Sequence, residues 1–125
     1  MPNFHLENRI AIVTGASSGI GRATALALAA QGAHVGLLAR NQEALAQVAQ
    51  DIRALGREAL VLPTDVTVQE QVQQSIQEAI AHWQRIDILV ANAGVYYRRP
   101  IEQLDRQVIE QSMAVNFYGS LHPIL

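Results

Sequence analysis

The stretch Thr14-Gly15-Ala16-Ser17-Ser18-Gly19-Ile20-Gly21 decides how the chain is read. Directly before it, Arg9-Ile-Ala-Ile-Val-Thr14 is a short apolar run, the pattern of a buried strand. Directly after it, residues 19–31 are strong helix formers, and Gly32 stands where a helix C-terminal glycine belongs. Strand, glycine turn and helix in that order are the context of a phosphate-binding turn. Gly15 allows a tight exit from the strand. Gly19 lets the backbone approach a phosphate with no Cβ in the way, and Gly21 lets the helix pack closely. The helix start offers unpaired N–H groups and the positive end of its dipole to a pyrophosphate.

The same alternation continues outward. Ala33-His-Val-Gly-Leu-Leu-Ala39 reads as a second buried strand. Asn41 suits a helix N-cap, and Leu45, Val48, Ile52 and Leu55 recur on one helical face before Gly56 ends it. Residues 58–62 form a third strand, stopped by Pro63. Thr67-Val-Gln-Glu70 has the spacing of a capping box. Val72, Ile76, Ala79 and Trp83 make the apolar stripe of the helix it would open. Ile86-Asp-Ile-Leu-Val-Ala91 is a fourth strand, broken by Asn92-Ala93-Gly94. A loop with Tyr96, Tyr97 and Pro100 follows, then a last helical pattern from about residue 105. Apolar strands alternating with crossover-length helices predict an α/β, doubly wound parallel sheet covered on both faces.

Composition excludes several other classes. The 125 residues are half hydrophobic and 16% charged, a core-forming balance sized for one domain. There is no cysteine, so disulfide scaffolds, cysteine-ligated zinc and thiol catalysis are out. A formal charge of −2 argues against a nucleic-acid or membrane-surface protein. The apolar runs are strand-length and the start carries no basic leader, so a cytoplasmic location is expected. The histidines at 5, 34, 82 and 122 show no metal-ligand spacing, and no metal site is expected. All 9 positive charges are arginine; the chain has no lysine.

The spacing Thr-Gly-x-x-x-Gly-x-Gly resembles the short-chain dehydrogenase/reductase family, in its classical branch. Three further matches fall in order: Asp65-Val66 after the third strand, Asn92-Ala93-Gly94 after the fourth, and Val115-Asn116 with Gly119 in the last helical pattern. The resemblance implies a Rossmann-type domain over residues 1–125, truncated after about four strands of the order 3-2-1-4-5-6-7. Gly15, Ser17, Ser18, Gly19, Ile20 and Gly21 match the pyrophosphate turn. Asp65 matches an acid that accepts from the adenine amino group, with Val66 beside it. Asn92, Ala93 and Gly94 match the segment lining the cofactor ribose. Asn116 matches an active-site asparagine that holds a water in a proton relay. An asparagine inside an otherwise apolar helix is locally unfavourable, which supports a role beyond packing.

The choice of dinucleotide is read from charge. NAD enzymes place an acid at the end of the second strand, to bind the ribose hydroxyls. Here that strand ends in Ala39 and Arg40 follows. A guanidinium is available to clamp a 2′-phosphate and no acid repels it, so NADP(H) is expected over NAD(H).

The resemblance also implies residues that this chain does not offer. The family's tyrosine works beside a lysine four residues later, because a phenol is a poor base at neutral pH without a nearby cation. Four residues after Tyr96, Tyr97 and Tyr118 stand Pro100, Ile101 and His122. The leading expectation is therefore the cofactor-binding half of an NADP(H)-dependent oxidoreductase acting on small alcohols or carbonyls, without its catalytic back half. A homo-oligomer is expected only for an intact chain. The alternatives are a non-catalytic dinucleotide-binding module and an inert truncated product. A methyltransferase would share the sheet, but the glycine turn and Arg40 count against it.

Overall fold

A computed structural model describes residues 5–92. Seven elements alternate: β1 (Ile10–Thr14), α1 (Gly19–Ala30), β2 (His34–Ala39), α2 (Gln42–Ala54), β3 (Ala59–Pro63), α3 (Gln69–Trp83) and β4 (Ile88–Val90). The four strands form one parallel sheet in the order β3-β2-β1-β4. The expected doubly wound arrangement is thus present. The order reverses at β1, so the crevice at the strand C-terminal ends opens between β1 and β4.

Side chains alternate across the sheet, and each face has its own core. Val13, Val35 and Leu37 pack against Ala25 and Ala29 of α1 and Leu45, Val48, Ala49 and Ile52 of α2. Ile12, Leu38 and Leu62 face α3 through Ala79, with Ile76 and Trp83 beside them. Every residue of β1 is buried, as a central strand covered on both faces must be. Gly36 interrupts β2 for a packing reason. A Cβ there would lie 2.6 Å from Ile12 Cδ1 and 3.6 Å from Trp83 Cζ3, so its absence admits both side chains.

Local signals explain most element ends. The Asn41 side chain accepts a hydrogen bond from the Ala44 N–H at 3.1 Å and caps α2 as expected. Gly32 and Gly56 follow α1 and α2 with positive φ. Two expectations are corrected. The capping box at Thr67 does not form: Val68 is the N-cap of α3, without a side-chain cap, and Thr67 turns back to Asp65. The fourth strand is shorter than residues 86–91, because Asp87 uses its side chain as a pairing group. Its Oδ2 accepts from the Ile10 N–H at 2.8 Å, while its own N–H donates to Ile10 O at 2.8 Å. Arg85 and Arg9 flank this carboxylate.

No described helix is long and apolar enough to cross a membrane. Ala93, Gly94, Asn116, the Tyr96–Tyr97 loop and the last helical pattern lie outside the described residues.

Candidate functional site

The ends of β1, β2 and β4 meet at the predicted turn. Gly15 (φ +64°) and Gly19 (φ +57°) both take the left-handed backbone conformation that favours glycine. Between them Ala16 is buried and its N–H donates to Leu38 O at 3.3 Å, pinning the turn to β2. Gly21 is required by proximity. A Cβ there would overlap the Gly15 carbonyl and lie 2.8 Å from Asn92 Nδ2. The turn therefore closes onto α1, and the Asn92 side chain, two residues past β4, abuts Gly21.

The start of α1 is left open. Ser18 is its N-cap in extended conformation, but its side chain makes no capping bond, and no acid stands in the first turn. By contrast, α2 has Asn41 and Glu43 and α3 has Glu70 in these positions. The open N–H groups and the unopposed dipole suit an anion. A dinucleotide pyrophosphate fits here on this structure's terms. Among the described residues nothing lies within 4 Å of the Gly19 Cβ direction, so its backbone is open to a ligand on that side. Ile20, 75% exposed, presents a large apolar side chain beside it.

Thr14 ties the two sides of the crevice. It is fully buried, its Oγ1 accepts from the Asn92 N–H at 2.8 Å, and it donates to Val90 O at 3.4 Å. In the sequence Thr14 stands out only as part of the turn spacing. A hydroxyl at the end of an otherwise apolar central strand was the available signal.

Arg40 and Asp65 form the other end of the site. Adjacent strands with Ala39 opposite Pro63, and the Thr64 N–H donating to Ala39 O at 2.8 Å, bring the residues beyond them together. Arg40 is exposed. Asp65 Oδ1 accepts from Thr67 Oγ1 at 2.6 Å and from the Thr67 N–H at 3.0 Å. The Asp65 N–H donates to Gln71 Oε1 at 2.8 Å. The Thr67 hydroxyl, followed by the Thr67 N–H and the nearby Arg40 charge, holds the Asp65 carboxyl below its usual range against the opposing effect of burial. Val66 beside it is buried. Thr64 fixes the whole corner. Its hydroxyl donates to Leu62 O at 2.7 Å and accepts from Ser75 Oγ of α3 at 2.6 Å.

The predicted residues Gly15, Ser17, Ser18, Gly19, Ile20, Gly21 and Asn92 thus share the β1/β4 crevice, and Arg40, Asp65 and Val66 share the β2/β3 corner. Together they line one edge of the sheet, the carboxyl ends of the strands. Among the described residues no three His, Cys, Asp or Glu side chains are grouped to hold a metal ion.

The family model described as short chain dehydrogenase matches residues 9–124. An uncharacterised oxidoreductase of Listeria monocytogenes is 40% identical over 119 residues, covering 95% of this chain and 48% of that protein. NAD+-bound xylitol dehydrogenase superposes with a TM-score of 0.91 at 32% identity, over 95% of this chain and 46% of that one. An alcohol dehydrogenase from the archaeon Thermococcus sibiricus, complexed with 5-hydroxy-NADP, gives a TM-score of 0.89 at 32% identity, over 94% and 51%. The chain spans about half the length of the curated relatives it matches.

Proposed function

Because this chain belongs to the short-chain dehydrogenase family, we propose that it is the cofactor-binding half of an NADP(H)-dependent oxidoreductase that acts on alcohols or carbonyls. The observation that carries the reading is the pairing of an uncapped, acid-free α1 start with Arg40, one residue past β2. The first accepts a pyrophosphate. The second accepts a 2′-phosphate where an acid would reject it.

In this reading the backbone of Gly15, Ser17, Ser18, Gly19, Ile20 and Gly21 receives the pyrophosphate. Arg40 takes the 2′-phosphate, Asp65 and Val66 receive the adenine, and Asn92, Ala93 and Gly94 line the ribose. Asn116 holds a water of the proton relay. The bound dinucleotide would supply or accept the hydride. The chain's own contribution is to bind and orient it. The 125 residues hold no lysine and no tyrosine with a lysine four residues on, so this chain by itself binds the cofactor without turning it over. The same observation favours a second reading, a non-catalytic dinucleotide-binding module. A cytoplasmic location and assembly of the intact protein into a homo-oligomer belong to the first reading.

Calorimetric titration of the purified chain with NADPH and NADH tests the cofactor assignment. A charged hydrogen-bonding contact is worth about 1.5–3 kcal/mol, so Arg40→Ala should weaken NADPH binding about ten- to hundredfold and leave NADH unchanged. Equal affinity of the wild-type chain for the two cofactors would overturn the preference. Turnover of NADPH with a carbonyl substrate by the 125-residue chain would overturn the division of labour.

A further inference from the structure

We propose, resting on the reading of Asp65 as the acceptor of an adenine amino group, that Thr67 and Gln71 are positioning residues that make this corner selective for a 6-aminopurine over a 6-oxopurine. Thr67 spends both of its donors on one atom, Asp65 Oδ1, through Oγ1 at 2.6 Å and N–H at 3.0 Å. That leaves Oδ2 with no hydrogen bond from the described residues and fixes where it points. Gln71, in the first turn of α3, holds the Asp65 N–H at 2.8 Å. Side chain and backbone of Asp65 are thus restrained from two different elements, the turn after β3 and the helix.

The restraint matters because of what a purine offers. An ionised carboxylate only accepts hydrogen bonds. It matches an exocyclic 6-amino group and opposes a 6-oxo group. A 6-oxopurine still carries an N1–H donor next to its carbonyl, and a freely rotating carboxylate would re-aim to it. A carboxylate held on Oδ1 and at its own N–H cannot. Discrimination therefore comes less from Asp65 being acidic than from its being unable to move. This also accounts for Thr67, whose spacing to Glu70 suggests a helix cap but whose donors serve Asp65 instead.

The test compares NADPH with its deamino analogue, in which hypoxanthine replaces adenine, by cofactor fluorescence titration of the wild-type chain and four variants. The wild-type chain should favour NADPH about tenfold, the order of one lost hydrogen bond to a charged group. Thr67→Val and Gln71→Leu should bring that preference to within about twofold, while Thr67→Ser and Gln71→Glu, which keep the donor and the acceptor, should retain it. In the cofactor-free protein, the Asp65 carboxyl followed by NMR should titrate higher in Thr67→Val than in Thr67→Ser. Gln71 is exposed, so Gln71→Leu carries the test should Thr67→Val fail to fold. Full preference retained in Thr67→Val or in Gln71→Leu overturns the proposal. So does a wild-type chain that binds both cofactors equally, and in that case the NADP(H) reading survives. A wild-type chain that binds neither overturns both.

Discussion

Replacing Thr14 by valine removes one hydroxyl and almost no volume, at the point where β1 and β4 are joined above their ladder. The Asn92 N–H loses its acceptor at 2.8 Å, and Val90 O loses a longer, weaker bond at 3.4 Å. An orphaned, partly buried donor costs about 1–3 kcal/mol. Asn92 is only half-buried, so water recovers part of this, and the added methyl contributes about 0.8 kcal/mol in the opposite direction. The net expectation is a loss of about 1 kcal/mol, or about 4 °C in Tm for a domain of this size. Thr14→Ser keeps the hydroxyl and loses a methyl, so its Tm falls for a different reason. Tm alone does not separate the two, but the Asn92 amide does. Its hydrogen exchange should accelerate about fivefold in Thr14→Val, the factor that about 1 kcal/mol of lost protection gives, and stay near wild type in Thr14→Ser. Because Asn92 Nδ2 abuts Gly21, NADPH affinity should fall with it. Unchanged Asn92 exchange in Thr14→Val would refute the role given to this hydroxyl.

Other perturbations test separate parts of the structure. Asn41→Ala removes the α2 cap and should cost about 1 kcal/mol in thermal or urea unfolding. Gly21→Ala places a Cβ into the Gly15 carbonyl, a backbone atom that cannot swing aside, and should destabilise by about 1–3 kcal/mol with loss of NADPH binding in titration. Glu58 gives a pH signature. The Trp83 ring N–H, then His82, hold its carboxyl below the ordinary 4.5. The folded state therefore binds its proton less readily than the unfolded chain. This contribution is complete above the ordinary value and is lost as pH falls through the lower, folded one. Trp83 is the single tryptophan, so its emission should report that acid step directly, and Glu58→Gln should abolish it.

The fold was legible because its signals are local and repeated. Buried strands, glycine-ended helices and the Asn41 cap each name their element, and the parallel alternation leaves few ways to assemble them. The glycine turn was legible for the same reason, since its φ angles admit little else. What sequence missed were competitions between side chains. Thr67 had both a helix start to cap and a carboxylate two residues back. The ionised Asp65 wins, because bonds to a charged acceptor are the stronger ones. Asp87 likewise replaces a ladder bond with its side chain, which shortens β4 in a way that no apolar pattern signals. Thr14 reads only as part of the glycine turn and Thr64 carries no signal at all, and their hydroxyls acquire meaning only when β4 and α3 arrive from far along the chain.

The central position of β1 has a kinetic consequence. Its register with β2 joins residues 24 apart in sequence, whereas its register with β4 joins residues 77 apart. Closing the longer loop costs about 1 kcal/mol more in chain entropy. The β1–β2–β3 layer should therefore condense first, with β4 added last and released first. The crevice proposed to receive the pyrophosphate lies along that late seam. A ligand bound there gathers the β1 turn and the β4 end into one body, and so acts as a fastener on the step of folding that the chain alone completes least readily.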